Sequence, residues 1–206
     1  MTPQISYHIG LSLGTRSTST GLCILEQQGR DYQSEKRALY NIRHLERFAA
    51  ATAYPAIIAR ITELIKKEPL SRFPYGTALI LESTGVGSHV VDLFRQAKLV
   101  KKINSVILTG GFEVVRQAQG AFAIPKRELV SMVDALLQSN RLKVAPQLPL
   151  TPALTQELQQ FDLKKNERTA EATTMLWREG AEDDLVFAVA LACWFAGQPL
   201  AELYSF

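Results

Sequence analysis

The hydrophobic pattern of this chain changes period part-way along its length, and that change limits the folds open to it. Residues 5–13, 19–27 and 37–44 carry alternating or β-branched apolar runs and read as three consecutive strands. Short turns join them: Gly21 closes the first, and "QQGRDYQ" opens the second. Together they predict an antiparallel meander. Beyond residue 50 the period lengthens. "AATAYPAIIARITELIKKE" sets Ile57, Ile58, Ile61, Leu64 and Ile65 on one helical stripe. Strands at 77–83 and 104–109 then enclose the helical pattern "SHVVDLFRQAKL". A meander followed by βα alternation predicts an α/β fold, one mixed sheet with helices on both faces.

The remaining elements extend that plan. "IPKRELVSMVDALLQSN" is a helix with Pro125 in its first turn and Leu129, Met132, Val133, Leu136 and Leu137 inward. A short strand near "LKVA" precedes the helix "TPALTQELQQFDL". Residues 170–178, "AEATTMLWR", read as strand on the strength of Thr173 and Thr174. The last helix, about 182–196, is apolar nearly all round and must be buried. With no repeat, linker or low-complexity tract, residues 1–206 form one expected domain.

Composition narrows the function classes. At 47% hydrophobic the chain can build a full core. A net charge of +3 permits contact with a polyanion without demanding it. The densest basic runs, "RQAKLVKK" (95–102) and "KKNER" (164–168), read as solvated faces. Cys23 and Cys193 lie in apolar runs with no C-x-x-C spacing, as buried free thiols of a reducing compartment would. There is no signal pattern at the N-terminus, and the apolar run 185–196 is too short to span a bilayer. A cytoplasmic protein without a membrane partner is expected. No G-x-x-x-x-G-K-[ST] occurs, which leaves P-loop nucleotide hydrolysis unsupported.

Two acidic sites stand out. Glu82 ends the strand "TALILE" before the turn "STGVG". Glu182, Asp183 and Asp184 open the last helix. Acids in such a position either cap free N–H groups or carry chemistry, and the spacing leaves both open. Ala188 and Ala192 follow Asp184 at i+4 and i+8, a small-residue line that would let the helix backbone approach the sheet. Carboxylates from distant segments meeting at strand ends can hold divalent cations, and two such cations would activate a water against a phosphodiester. A third ligand should then come from the first strand, whose inner polar residue is Ser12.

In this arrangement the chain resembles the ribonuclease H-like nuclease domain of phage large terminase subunits. Four segments match in order: "IGLSLGTRSTSTGLCIL", "LILESTGVGSHVVDLFR", "AIPKRELVSMVDALLQSNRLKV" and "EGAEDDLVFAVALACW". The resemblance implies a ribonuclease H-like mixed sheet and metal-dependent cleavage of double-stranded DNA during genome packaging, with Mg2+ or Mn2+ held by three acids. Glu82 matches the second acid, and Asp183 or Asp184 the third. The first falls on Ser12, whose neutral hydroxyl cannot bridge two cations, so an impaired metal site is expected. Glu182 stands where the family often has histidine. The ATPase motor that precedes the nuclease in large terminase subunits is not expected within residues 1–206, which would then be a detached domain or a distinct short protein on the same fold.

Three functional readings follow: a terminase-nuclease-like phage or prophage protein with a weak or absent metal site; an active nuclease whose lost ligand comes from Glu182, both aspartates, water, Glu113 or Asp134; and a non-catalytic binding or assembly protein. Double-stranded DNA and phage packaging proteins are the implied partners. Thr15, Arg16, Lys126 and Arg127 are candidate phosphate contacts, with solvent-facing charge as the plainer account. His8, His44 and His89 lack metal-ligand spacing, and Trp177 and Trp194 read as core residues.

Overall fold

A computed structural model of the chain describes residues 5–29, 38–166 and 183–198. The strand assigned to 170–178, with Trp177 and Glu182, lies outside these. Three strands open the chain: β1 (Ile5–Ser12), β2 (Thr20–Gln28) and β3 (Leu39–Phe48). They pair antiparallel in sequence, as the meander pattern predicts. Next come α1 (Tyr54–Lys66), β4 (Thr77–Glu82), α2 (Ser88–Gln96) and β5 (Lys102–Thr109). The chain continues through β6 (Val115–Arg116), β7 (Ala121–Pro125), α3 (Lys126–Gln138), β8 (Leu142–Val144), α4 (Thr151–Asn166) and α5 (Asp184–Gly197).

The strands form one sheet in the order β6-β7-β5-β4-β1-β2-β3-β8. β1, β4, β5 and β7 run parallel, so their C-terminal ends share one edge. Strand alternation gives the sheet two apolar faces. Ile9, Leu11, Leu79 and Leu81 meet Ile57 and Ile61 of α1 and Val91 and Phe94 of α2. Cys23, Ile42, Ile80 and Ile124 meet α3 and α5 on the other. The α/β mixed sheet with helices on both faces is therefore present.

Two strands depart from the sequence reading. β7 takes the segment "AFAIP", of which the sequence reading places only Ile124 and Pro125, at the start of the following helix. Phe122 and Ile124 point to the core, and Pro125, lacking an N–H, ends the ladder and precedes α3 rather than lying inside its first turn. β6 is two exposed residues paired with β7, too short to carry a period.

Helix α5 is apolar all round because it is covered all round. It packs on β1 and β2 below and on α3 and α4 above, and every residue from Leu185 to Ala196 is buried. The small residues set the approach. A Cβ on Gly10 would fall 1.9 Å from the Ala188 carbonyl oxygen and 3.1 Å from the Ala192 nitrogen. The alanine line read from the sequence is thus the line that touches the sheet. Trp194 fills the core, its ring edge-on to Phe122 at 5.6 Å. Cys23 and Cys193 are free and buried, and burial pushes both thiols up. Among the described residues no helix is long and apolar enough to cross a membrane.

Candidate functional site at the strand ends

One row of residues crosses the sheet at the shared C-terminal edge. Ser12 pairs with Glu82 on one side and Gly21 on the other. Gly21 pairs in turn with Arg47 of β3, and Glu82 with Val106. Directly paired residues project to the same face, so Ser12, Glu82 and Arg47 share the face that α5 covers. Helix α5 begins over the middle of this row: a Cβ on Gly21 would lie 2.2 Å from the Asp184 carbonyl oxygen. Only a glycine leaves room there. The fold thus sets Ser12 in register with Glu82 and seats the start of α5, with Asp183 and Asp184, over the neighbouring Gly21.

These four polar residues are all buried, Glu82 completely. Its Oε1 accepts the N–H of Thr84 at 2.9 Å, which fixes the carboxylate against the start of the following turn. Asp183 stands at the N-cap of α5 but makes no side-chain capping bond. Asp184 Oδ2 accepts from Arg47 Nε at 3.0 Å, while its buried Oδ1 has no hydrogen-bond partner among the described residues.

The cap comes from elsewhere. Glu157 of α4 reaches the start of α5, and its Oε2 accepts the N–H groups of Leu185 and Val186, each at 3.1 Å. Its Oε1 pairs with Arg47. The capping role open to the acids of α5 therefore belongs to a residue of another helix. Burial pushes the Glu157 carboxyl up to about 7. The nearby Asp184 and Asp183 charges add to that rise, against the Val186 N–H and the Arg47 guanidinium. Arg47, with its side chain 21% exposed, is the cation that joins Glu157 to Asp184.

Neither Arg47 nor Glu157 was singled out in the sequence, yet each left a trace. In "HLERF" the charged residue 47 follows Leu45 at the inward spacing of a strand. In "LTQEL" residue 157 falls three after the buried Leu154, on the apolar stripe.

The donor set does not suit a pair of divalent cations. Ser12 contributes no charge, Asp184 is engaged by a guanidinium, and both oxygens of Glu157 are already in use. Among the described residues no group of three or more His, Cys, Asp or Glu is placed to hold a metal ion. The other acids weighed from sequence do not join the row: Glu113 is exposed between β5 and β6, and Asp134 lines a small apolar cleft between α3 and α5.

The candidate phosphate contacts do reach the same edge. Thr15 and Arg16 lie exposed in the β1–β2 turn, where Thr18 Oγ1 accepts the Thr15 N–H at 2.8 Å. Lys126 and Arg127 begin α3 at the end of β7. Arg127 stacks on Phe112 with 4.0 Å from guanidinium carbon to ring centroid and donates to the Phe112 carbonyl. The histidines stay apart: His8 is buried beside Phe195, His44 pairs with Glu46 at 2.9 Å, and His89 is exposed on α2.

No family model and no curated protein matches the sequence. The fold does have solved counterparts. The large terminase nuclease from thermophilic phage G20c superposes with a TM-score of 0.55 at 17% identity, over 92% of this chain and 81% of that one. The fold is that of a terminase nuclease domain. The human cytomegalovirus terminase nuclease domain, from a manganese-soaked crystal, shares it with a TM-score of 0.50 at 16% identity, over 92% and 82% of the two chains. The shared fold thus covers nine-tenths of this chain in both comparisons.

Proposed function

We propose that the protein is a DNA-binding relative of the packaging nucleases, from a phage or prophage, whose hydrolytic site is disabled. The observation that carries this reading is the row itself. Ser12 stands in register with Glu82 where a carboxylate would be needed, and Arg47 neutralises Asp184 and Glu157 from the other side. In that setting a guanidinium supplies the positive charge that a divalent cation would otherwise bring. Mg2+ or Mn2+ binds weakly or not at all, and cleavage is lost with it. Double-stranded DNA remains the partner, held along its phosphates by Thr15, Arg16, Lys126 and Arg127, with packaging proteins as further partners in the cytoplasm.

A second reading has one observation in its favour, since Glu157 brings a carboxylate that restores the acid count. The weight against it is that Glu157 caps two N–H groups of α5 and pairs with Arg47. Thermal unfolding with and without millimolar Mn2+ tests the proposal. Wild type gains nothing from the metal, whereas Ser12→Asp is raised in Tm by ligand linkage. A metal-dependent rise in wild type, abolished by Glu82→Gln, would defeat it.

A further inference from the structure

The basic run at 95–102 faces the opposite edge of the sheet, away from the acidic row. There the turn after α2 and the segment leading into β4 enclose a groove of about 570 Å3. Its walls include Pro74, Tyr75, Arg95, Lys98, Lys101 and Ile103. Three cations line it and no carboxylate does. Arg95 is held by Asp92 at 3.4 Å and by the Gln119 carbonyl at 3.0 Å. Lys98 and Lys101 are exposed, and neither meets a carboxylate among the described residues. Lys98 also adopts φ 49°, a left-handed conformation that glycine or asparagine would adopt at lower cost.

Tyr75 supplies the other half of the chemistry. It is 68% exposed, and the Lys101 ammonium sits 4.0 Å from its ring centroid. Tyr75 and Lys101 both line the groove, and the ring keeps most of its surface exposed with the ammonium over it. A flat apolar wall flanked by unneutralised ammonium groups is the chemistry that stacks a base and holds its phosphates. The groove's volume, about 570 Å3, is that of a small-molecule cleft and suits one or two nucleotides rather than a duplex. A planar membrane surface would not enter it, and an acidic peptide would leave the ring without a partner. We infer that this groove binds single-stranded nucleic acid, one base on Tyr75 and the adjoining phosphates on Lys98 and Lys101. The inference does not depend on the reading of the acidic row, which lies at the other edge.

Fluorescence anisotropy with a labelled 12-nucleotide oligothymidine tests it on the whole chain. Lys98→Gln with Lys101→Gln should weaken binding about tenfold at low salt and reduce the salt slope by about 1.4, two single-strand phosphate contacts. Tyr75→Ala should weaken it by roughly 5- to 150-fold, with Tyr75→Phe restoring most of the loss. Lys143→Gln, exposed on β8 and outside both basic sites, should leave oligonucleotide affinity within about twofold. All of these side chains are exposed or half-buried, and an unchanged Tm verifies that the variants fold. The inference is overturned if wild type does not bind the oligonucleotide, if the groove variants bind as wild type does, or if anionic phospholipid vesicles displace the oligonucleotide from wild type.

Discussion

Replacing Arg47 by alanine should destabilise the protein by an amount that depends on pH. The side chain joins Glu157 and Asp184, whose side chains are 6% and 7% exposed, so its loss leaves two buried carboxylates facing each other. Breaking such a pair by removing one partner costs about 3–5 kcal/mol when both acids are ionised. Glu157 titrates at about 7 in the folded protein against an ordinary value of 4.5. An acid raised in this way favours the folded state most below its unfolded value. That advantage is lost as pH climbs through the folded one, by about 3 kcal/mol in total. Arg47 restrains the rise, so its removal lifts the Glu157 carboxyl further and steepens the loss. At pH 5 Glu157 is protonated in either protein, and the loss is confined to the charged hydrogen bond to Asp184 and the weaker one to the neutral Glu157, about 2–3 kcal/mol together. Urea unfolding followed by tryptophan fluorescence at pH 5 and pH 8 should therefore show a larger deficit at pH 8. Glu157→Gln should flatten the pH dependence of the wild type. Equal deficits at both values, or a deficit under about 1 kcal/mol at pH 8, would refute the reasoning.

Three further outcomes follow from the packing and from the opposite edge of the sheet. Gly10→Ala should cost about 3 kcal/mol or more, because its Cβ meets the backbone of α5 rather than a side chain that can move; a denaturant midpoint near wild type would contradict this. At Glu26, burial works to raise the carboxyl, but hydrogen bonds from Arg43 and Tyr7 outweigh it and hold it below the ordinary value. Its stabilisation is present above about pH 4.5 and lost as pH falls through the folded value, so Glu26→Gln should flatten the acid limb of the stability curve. The same contact, together with burial, pushes the Tyr7 phenol up to about 12, which ultraviolet titration of wild type against Tyr7→Phe would register.

Much of this was legible because it rests on period and size. The change from strand alternation to helical spacing located the meander, the crossovers and the sheet's two faces. The line Asp184, Ala188, Ala192 forecast the close approach of α5, since only small residues permit it. What escaped was short or long-range. β6 has two residues and β7 five, too few to show a period, and the helical pattern that follows claims the last two of β7. Arg47 and Glu157 lie 110 residues apart and acquire meaning only when α4 and β3 are brought to the same helix start. A charged residue at an inward position was the local sign of each, and nothing local named its partner. The same holds for the groove, where Tyr75 and Lys101 come from different crossovers.

The central claim is that Ser12 and Arg47 leave the strand-end site unable to cut. Incubation of supercoiled plasmid with purified wild type in millimolar manganese, alongside Glu82→Gln, tests it directly. The account expects both proteins to leave the plasmid supercoiled. Cleavage by wild type that disappears in Glu82→Gln would contradict it.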